Sequence, residues 1–126
     1  QLYQLGIAGD VRLRFNNDSG SNYARRYNQN GVADGTDTSV AHISNMIGYG
    51  GTPSFGNAFI INNQSNEKLV MGHHISQNTA GAGTAPQRIE FVGKWANTSN
   101  QITNVNILST SGNFPSGSIL KVWGAD

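Results

Sequence analysis

The stretch Gln87 to Trp95 sets Ile89, Phe91 and Trp95 at alternating positions against Arg88, Glu90 and Lys94. A repeat of two sends the first group to one side of an extended chain and the second to the other. It therefore predicts a β-strand with one side in a core and one in solvent. The same period governs Val11, Leu13 and Phe15, which oppose Arg12 and Arg14, and no stretch repeats its apolar residues every three to four positions over a helical length. Further short runs lie at Leu2–Ala8, Tyr23–Tyr27, Val40–Ile47, Phe55–Ile61, Lys68–Ile75, Ile102–Leu108 and Ser118–Trp123. Phe55–Ile61 is apolar on both sides near its end and reads as a central strand.

The segments between these runs are turn formers. Asn16–Ser21 reads as a tight turn with Gly20 available for a positive φ. Residues 28–39 read as a polar loop, Gly48–Pro53 and Ser76–Pro86 as small-residue connections, and Asn62–Asn66, Asn97–Asn100 and Gly112–Gly117 as turns. About eight or nine brief strands with no helix between them predict an all-β fold, a single antiparallel β-sandwich. No internal repeat or linker interrupts residues 1–126, so one domain is expected. The chain begins at Gln1 rather than Met, as expected of a processed product or of part of a longer chain.

Composition narrows the functions. Only 12% of residues are charged, about half the usual share, and polarity comes from Asn, Ser, Thr, Gln and Gly. Lys+Arg number 8 against 7 Asp+Glu, which provides no basic stripe for nucleic acid. No apolar run approaches ~20 residues, so no membrane span is expected. The absence of cysteine excludes disulfides and thiolate metal sites.

Few residues suggest chemistry. His73 and His74 are adjacent, so on a strand they face opposite ways and cannot hold one metal together. His42 would have to join one of them with an acid to approach a zinc set, and hydrogen-bonded structural histidines are the plainer reading. Asp34 and Asp37 share a loop without the ligand spacing of a calcium hand. No nucleophile elbow or phosphate loop occurs. No catalytic, metal or cofactor site is therefore assigned. Arg12, Arg14, Arg25 and Arg26 form the one charge cluster. Their strands are joined by a short turn and are expected to pair, gathering the four at one edge or face. They are candidates for contact with an acidic protein partner, a solvated sheet face being the simpler reading. Tyr23, Tyr27 and Tyr49 are candidate glycan contacts, Tyr49 being carried in a Gly-rich loop.

Three stretches carry a resemblance. Arg14-Phe-Asn-Asn-Asp-Ser-Gly-Ser-Asn-Tyr23, Gly93-Lys-Trp-Ala-Asn-Thr-Ser99 with Ile102-Thr103, and Ser111-Gly-Asn-Phe-Pro-Ser-Gly-Ser118 with Lys121-Val-Trp-Gly124 resemble, in order, patterns of β-rich structural proteins of tailed phages. The resemblance implies a jelly-roll-like sandwich on a virion, without enzymatic activity or cofactor. It implies a capsid decoration protein that stabilises the shell through oligomeric contacts, commonly as a homotrimer touching the major capsid protein. Residues Gln1–Ile7 would then serve as an arm or exchanged strand. The alternative is a tail-fibre or spike module that binds a host receptor or carbohydrate.

Overall fold

The computed structural model describes residues 1–6, 9–44, 46 and 51–124, and the side chains of these apart from residues 3–5. Its strands are β1 (Leu2–Leu5), β2 (Val11–Phe15), β3 (Tyr23–Gln29), β4 (Gly35–Val40), β5 (Pro53–Ile61), β6 (Lys68–Ser76), β7 (Gln87–Trp95), β8 (Val105–Ser109) and β9 (Ile119–Leu120), with no helix among the described residues. Seven of them form one antiparallel sheet in the order β4-β3-β7-β6-β5-β1-β9, and β2 pairs with β8 in a second. The two sheets pack together as the expected β-sandwich. The finer jelly-roll connectivity is not established by this strand order.

Alternation decides which side faces the second sheet. On β6, Lys68, Val70, Gly72, His74 and Ser76 are buried while Leu69, Met71, His73 and Ile75 are exposed. On β7, Ile89, Phe91 and Trp95 turn inward as expected. From the other layer Val11, Leu13 and Phe15 meet them, none more than 1% exposed. Each such fully buried side chain contributes about 1.5–3 kcal/mol. Gly72 is required where β6 crosses the core, because a Cβ there would lie 2.4 Å from Asn57 O and 2.7 Å from the Phe91 ring.

Several expectations are corrected. β2 and β3 do not pair; the chain changes sheets between them. The turn joining them uses Asn16 (φ 52°) and Asn17 (φ 58°) in the left-handed region, not Gly20, and closes with Asp18 N–H donating to Phe15 O at 2.9 Å. Asparagine tolerates that region better than most residues, so the two amides do what glycine was expected to do. The polar stretch 28–39 is not all loop: its second half enters β4, which is held at the sheet edge by pairing with β3 rather than by apolar burial. Among the described residues of Val40–Ile47 no separate strand forms: Val40 ends β4 and Ile43 makes a single bridge to Leu13, while Asn45 and Ile47 lie outside the described residues. The run expected over Leu2–Ala8 is a strand over Leu2–Leu5; β1 lies between β5 and β9 of its own chain, so the described part of Gln1–Ile7 is not a free arm. Of the last predicted strand only Ile119 and Leu120 lie in β9, with Lys121 exchanging backbone hydrogen bonds with Gln1 just beyond it. β5 is interior to its sheet, but only one of its faces is covered: Phe55, Phe59 and Ile61 stand exposed.

Candidate functional site

The first two motifs converge on one corner. The Trp95 ring stacks on Tyr23 (centroids 6.4 Å apart) and lies 5.8 Å from the Phe15 ring. Trp95 Nε1 donates to Asp18 Oδ2 at 2.7 Å, while Gly20 N and Asn22 Nδ2 donate to the same carboxylate. Phe15 N donates to Tyr23 Oη at 3.0 Å, and Ala96 N to Asn22 O at 2.8 Å. Burial alone pushes the Asp18 carboxyl up, but the bonds from Trp95, Asn22 and Gly20 and the charge of Arg14 outweigh it and hold it low. Burial raises the Tyr23 phenol, with Asp18 adding to the effect and the Phe15 N–H and Arg14 offsetting part of it.

Lys68 enters the same corner from β6. Its side chain is fully buried, and Nζ donates to the carbonyls of Gln64 (3.3 Å), Asn66 (2.9 Å) and Asn97 (2.8 Å). One cation thus ties together the β5–β6 turn and the chain leaving β7. Alternation marks Lys68 as inward-facing, but sequence reasoning did not see this role, because a lysine opening a strand normally reaches water.

Three of the four candidate arginines come together, by a different route from the one expected. Residues 41–44 run beside β2, where Arg14 Nε donates to Ala41 O at 2.9 Å. Arg25 reaches the same segment from β3, donating to Ser44 O at 2.8 Å, and pairs with Asp37 at 2.7 Å. Arg12 pairs with Asp10. Between them sits half-buried His42, whose Nδ1 is shielded and has no hydrogen-bond partner. Burial first, then Arg12, Arg14 and Arg25, depress its imidazole, with only Asp10 acting the other way. Arg26 points to the opposite face of the sheet and pairs with Asp34, so the four never form one patch.

The two described glycan candidates do not form a platform. Tyr23 is 1% exposed, with its ring inside the core, and is withdrawn as a contact. Tyr27 is half-buried with the Arg25 guanidinium 4.2 Å above its ring. Tyr49 lies outside the described residues. His73 is exposed and His74 buried, on opposite faces as predicted, and no three metal-ligating side chains converge among the described residues.

The most distinctive surface is the uncovered face of the large sheet. Strand register arranges its side chains in rows. Ile61 lies opposite Leu69, and Leu69 opposite Lys94; in the next row Phe59 lies opposite Met71, and Met71 opposite Val92. Asn57, His73 and Glu90 form a polar row, beyond which Phe55 faces Ile75. Phe59, Ile61 and Met71 are each at least 60% exposed. With Leu69 and Val92 they line an apolar groove of about 590 Å³, bordered by Arg26 and Lys94. The alternation that identifies the core predicts these positions as outward, but the expectation that β5 is covered on both faces concealed how apolar the outer side is.

Comparison of the chain with protein-family models, with curated proteins and with solved structures finds no match.

Proposed function

We propose that this chain is a non-enzymatic structural protein of a virion, a capsid decoration module that stabilises a shell by packing against neighbouring subunits. The apolar outer face of the β5–β6–β7 region carries the reading. The largest apolar patch on a monomer typically measures roughly 300–600 Å² and is often a contact site, and this face supplies such a patch on flat, paired strands. Burying such a face across a subunit junction raises the cost of opening a shell without any chemistry. The motifs that resemble tailed-phage proteins support the same reading, and residues of the first two hold the Trp95 corner. The tail-fibre or spike reading ranks second, because Tyr27 is the one described glycan candidate that retains any exposure.

The test uses shells assembled from the major capsid protein of the same particle. Wild-type chain is expected to co-sediment with them and to raise the temperature at which they open, and Met71→Lys to lose both effects. Failure of the wild type to be retained overturns the reading; specific hits on a glycan array would favour the fibre alternative.

A further inference from the structure

We infer that the outer face of the large sheet is occupied by the same face of a second copy of this chain, in a two-fold, sheet-on-sheet dimer. The inference deepens the assembly reading and rests on it for the claim that this face is buried.

Area is the first argument. Phe59, Ile61, Leu69, Met71 and Val92, with Phe55 and Ile75 beyond the polar row, are each between 39% and 66% exposed. With large apolar side chains presenting roughly 150–200 Å² each, the seven expose on the order of 700 Å². A standard interface takes about 800 Å² from each partner, little more than half of it apolar. One face meeting its own copy therefore supplies the apolar area a stable dimer needs, with no further element.

Charge is the second. The charged groups around the patch are already matched within the chain: Arg26 with Asp34, Arg88 with Glu90, and Lys94 with Glu67. The face therefore carries no net charge from these groups. It does not repel its own copy, and it offers nothing to select an acidic or basic partner. The ion pairs border the apolar centre as a polar rim does in a protein interface.

Geometry is the third. A side chain on an outward strand face stands clear of the sheet, so two such faces interdigitate about 10 Å apart with strands crossing at about 30°. Packing like against like closes after two copies, which departs from the three-fold assembly implied by the resemblance.

Sedimentation equilibrium of the isolated chain across the micromolar range tests this. A mass twice that of the 13.4 kDa chain is expected. Met71→Lys should weaken the dimer at least about a hundredfold, since the two-fold axis buries the new ammonium twice. Val92→Lys is the second variant, and both are checked for unchanged far-UV circular dichroism. Val122→Lys, beyond β9 and outside the sheet, should remain dimeric. A wild-type monomer throughout, a trimer, or a dimer indifferent to both face variants overturns the inference. A monomer that capsid shells still retain would mean that another chain covers the face, so the inference falls while the decoration reading stands. A dimer that no shell retains sustains the inference and removes the decoration reading.

Discussion

Trp95 on β7 and Asp18 in the turn after β2 are joined by an indole N–H to carboxylate hydrogen bond of 2.7 Å, 77 residues apart in sequence. It fastens the place where the chain passes from the small sheet to the large one. Asp18→Ala leaves the N–H of a Trp that is 1% exposed without its acceptor, and an unmet buried donor costs about 1–3 kcal/mol. A urea-denaturation loss of about 2 kcal/mol is expected, with Asp18→Asn losing less than half as much because an amide oxygen still accepts. The Asp18 carboxyl is held below its ordinary value of 3.8. Its contribution is therefore complete above that value and is lost as pH falls through the folded one.

Lys68 gives a second test. Its ammonium satisfies three backbone carbonyls from inside the corner. Lys68→Met keeps most of the packing but strips those carbonyls of their donor. A loss of about 2–4 kcal/mol in chemical denaturation is expected. If Lys68→Met is neutral, the cation does not hold the two turns together.

The legible parts of this fold are those in which an apolar side chain alternates with a polar one. β2, β6 and β7 follow from Val11, Leu13 and Phe15, from Val70, and from Ile89, Phe91 and Trp95, because burial on one side imposes the period. β4 was illegible: Thr36, Asp37 and Thr38 bury little, and the strand exists because β3 presents a free edge to it. The turn at Asn16–Asn17 is legible in its place but not in which residue takes the positive φ, since the tolerance of asparagine for that region is less conspicuous than that of glycine. For the site, period two fixed the direction of Met71 and Leu69. Their register beside Phe59 and Ile61 needs the strand order, which local pattern does not encode.

His42 makes stability depend on pH. Arg12 and Arg14 from β2, Arg25 from β3, and Asp10 act on it, and burial with the arginines lowers its imidazole below the ordinary 6.5. Between the folded value and 6.5 the unfolded chain holds a proton that the folded chain does not, so unfolding gains from acid. The contribution is complete above 6.5 and declines as pH falls toward the folded value. Denaturation midpoints measured from about pH 7 down to about 5 should fall, and His42→Gln should flatten that slope. An unchanged slope in the variant would show that other groups carry it.

Arg25 anchors the weakest strand. Its guanidinium is 7% exposed, pairs with Asp37 on β4, donates to Ser44 O and covers the Tyr27 ring. β4 reaches the core only through partly buried Val40 at its end, so Arg25 supplies much of what the rest of the strand gains beyond its ladder to β3. Arg25→Met keeps a stem over Tyr27 but removes both charged contacts, each worth about 1.5–3 kcal/mol when shielded. Hydrogen exchange should then accelerate at the amides of Thr36–Val40 by roughly tenfold or more, while β6 and β7 amides keep their protection. Acceleration spread evenly over the large sheet would instead mean that Arg25 supports the whole core rather than the edge strand, and that β4 is held by its backbone ladder alone.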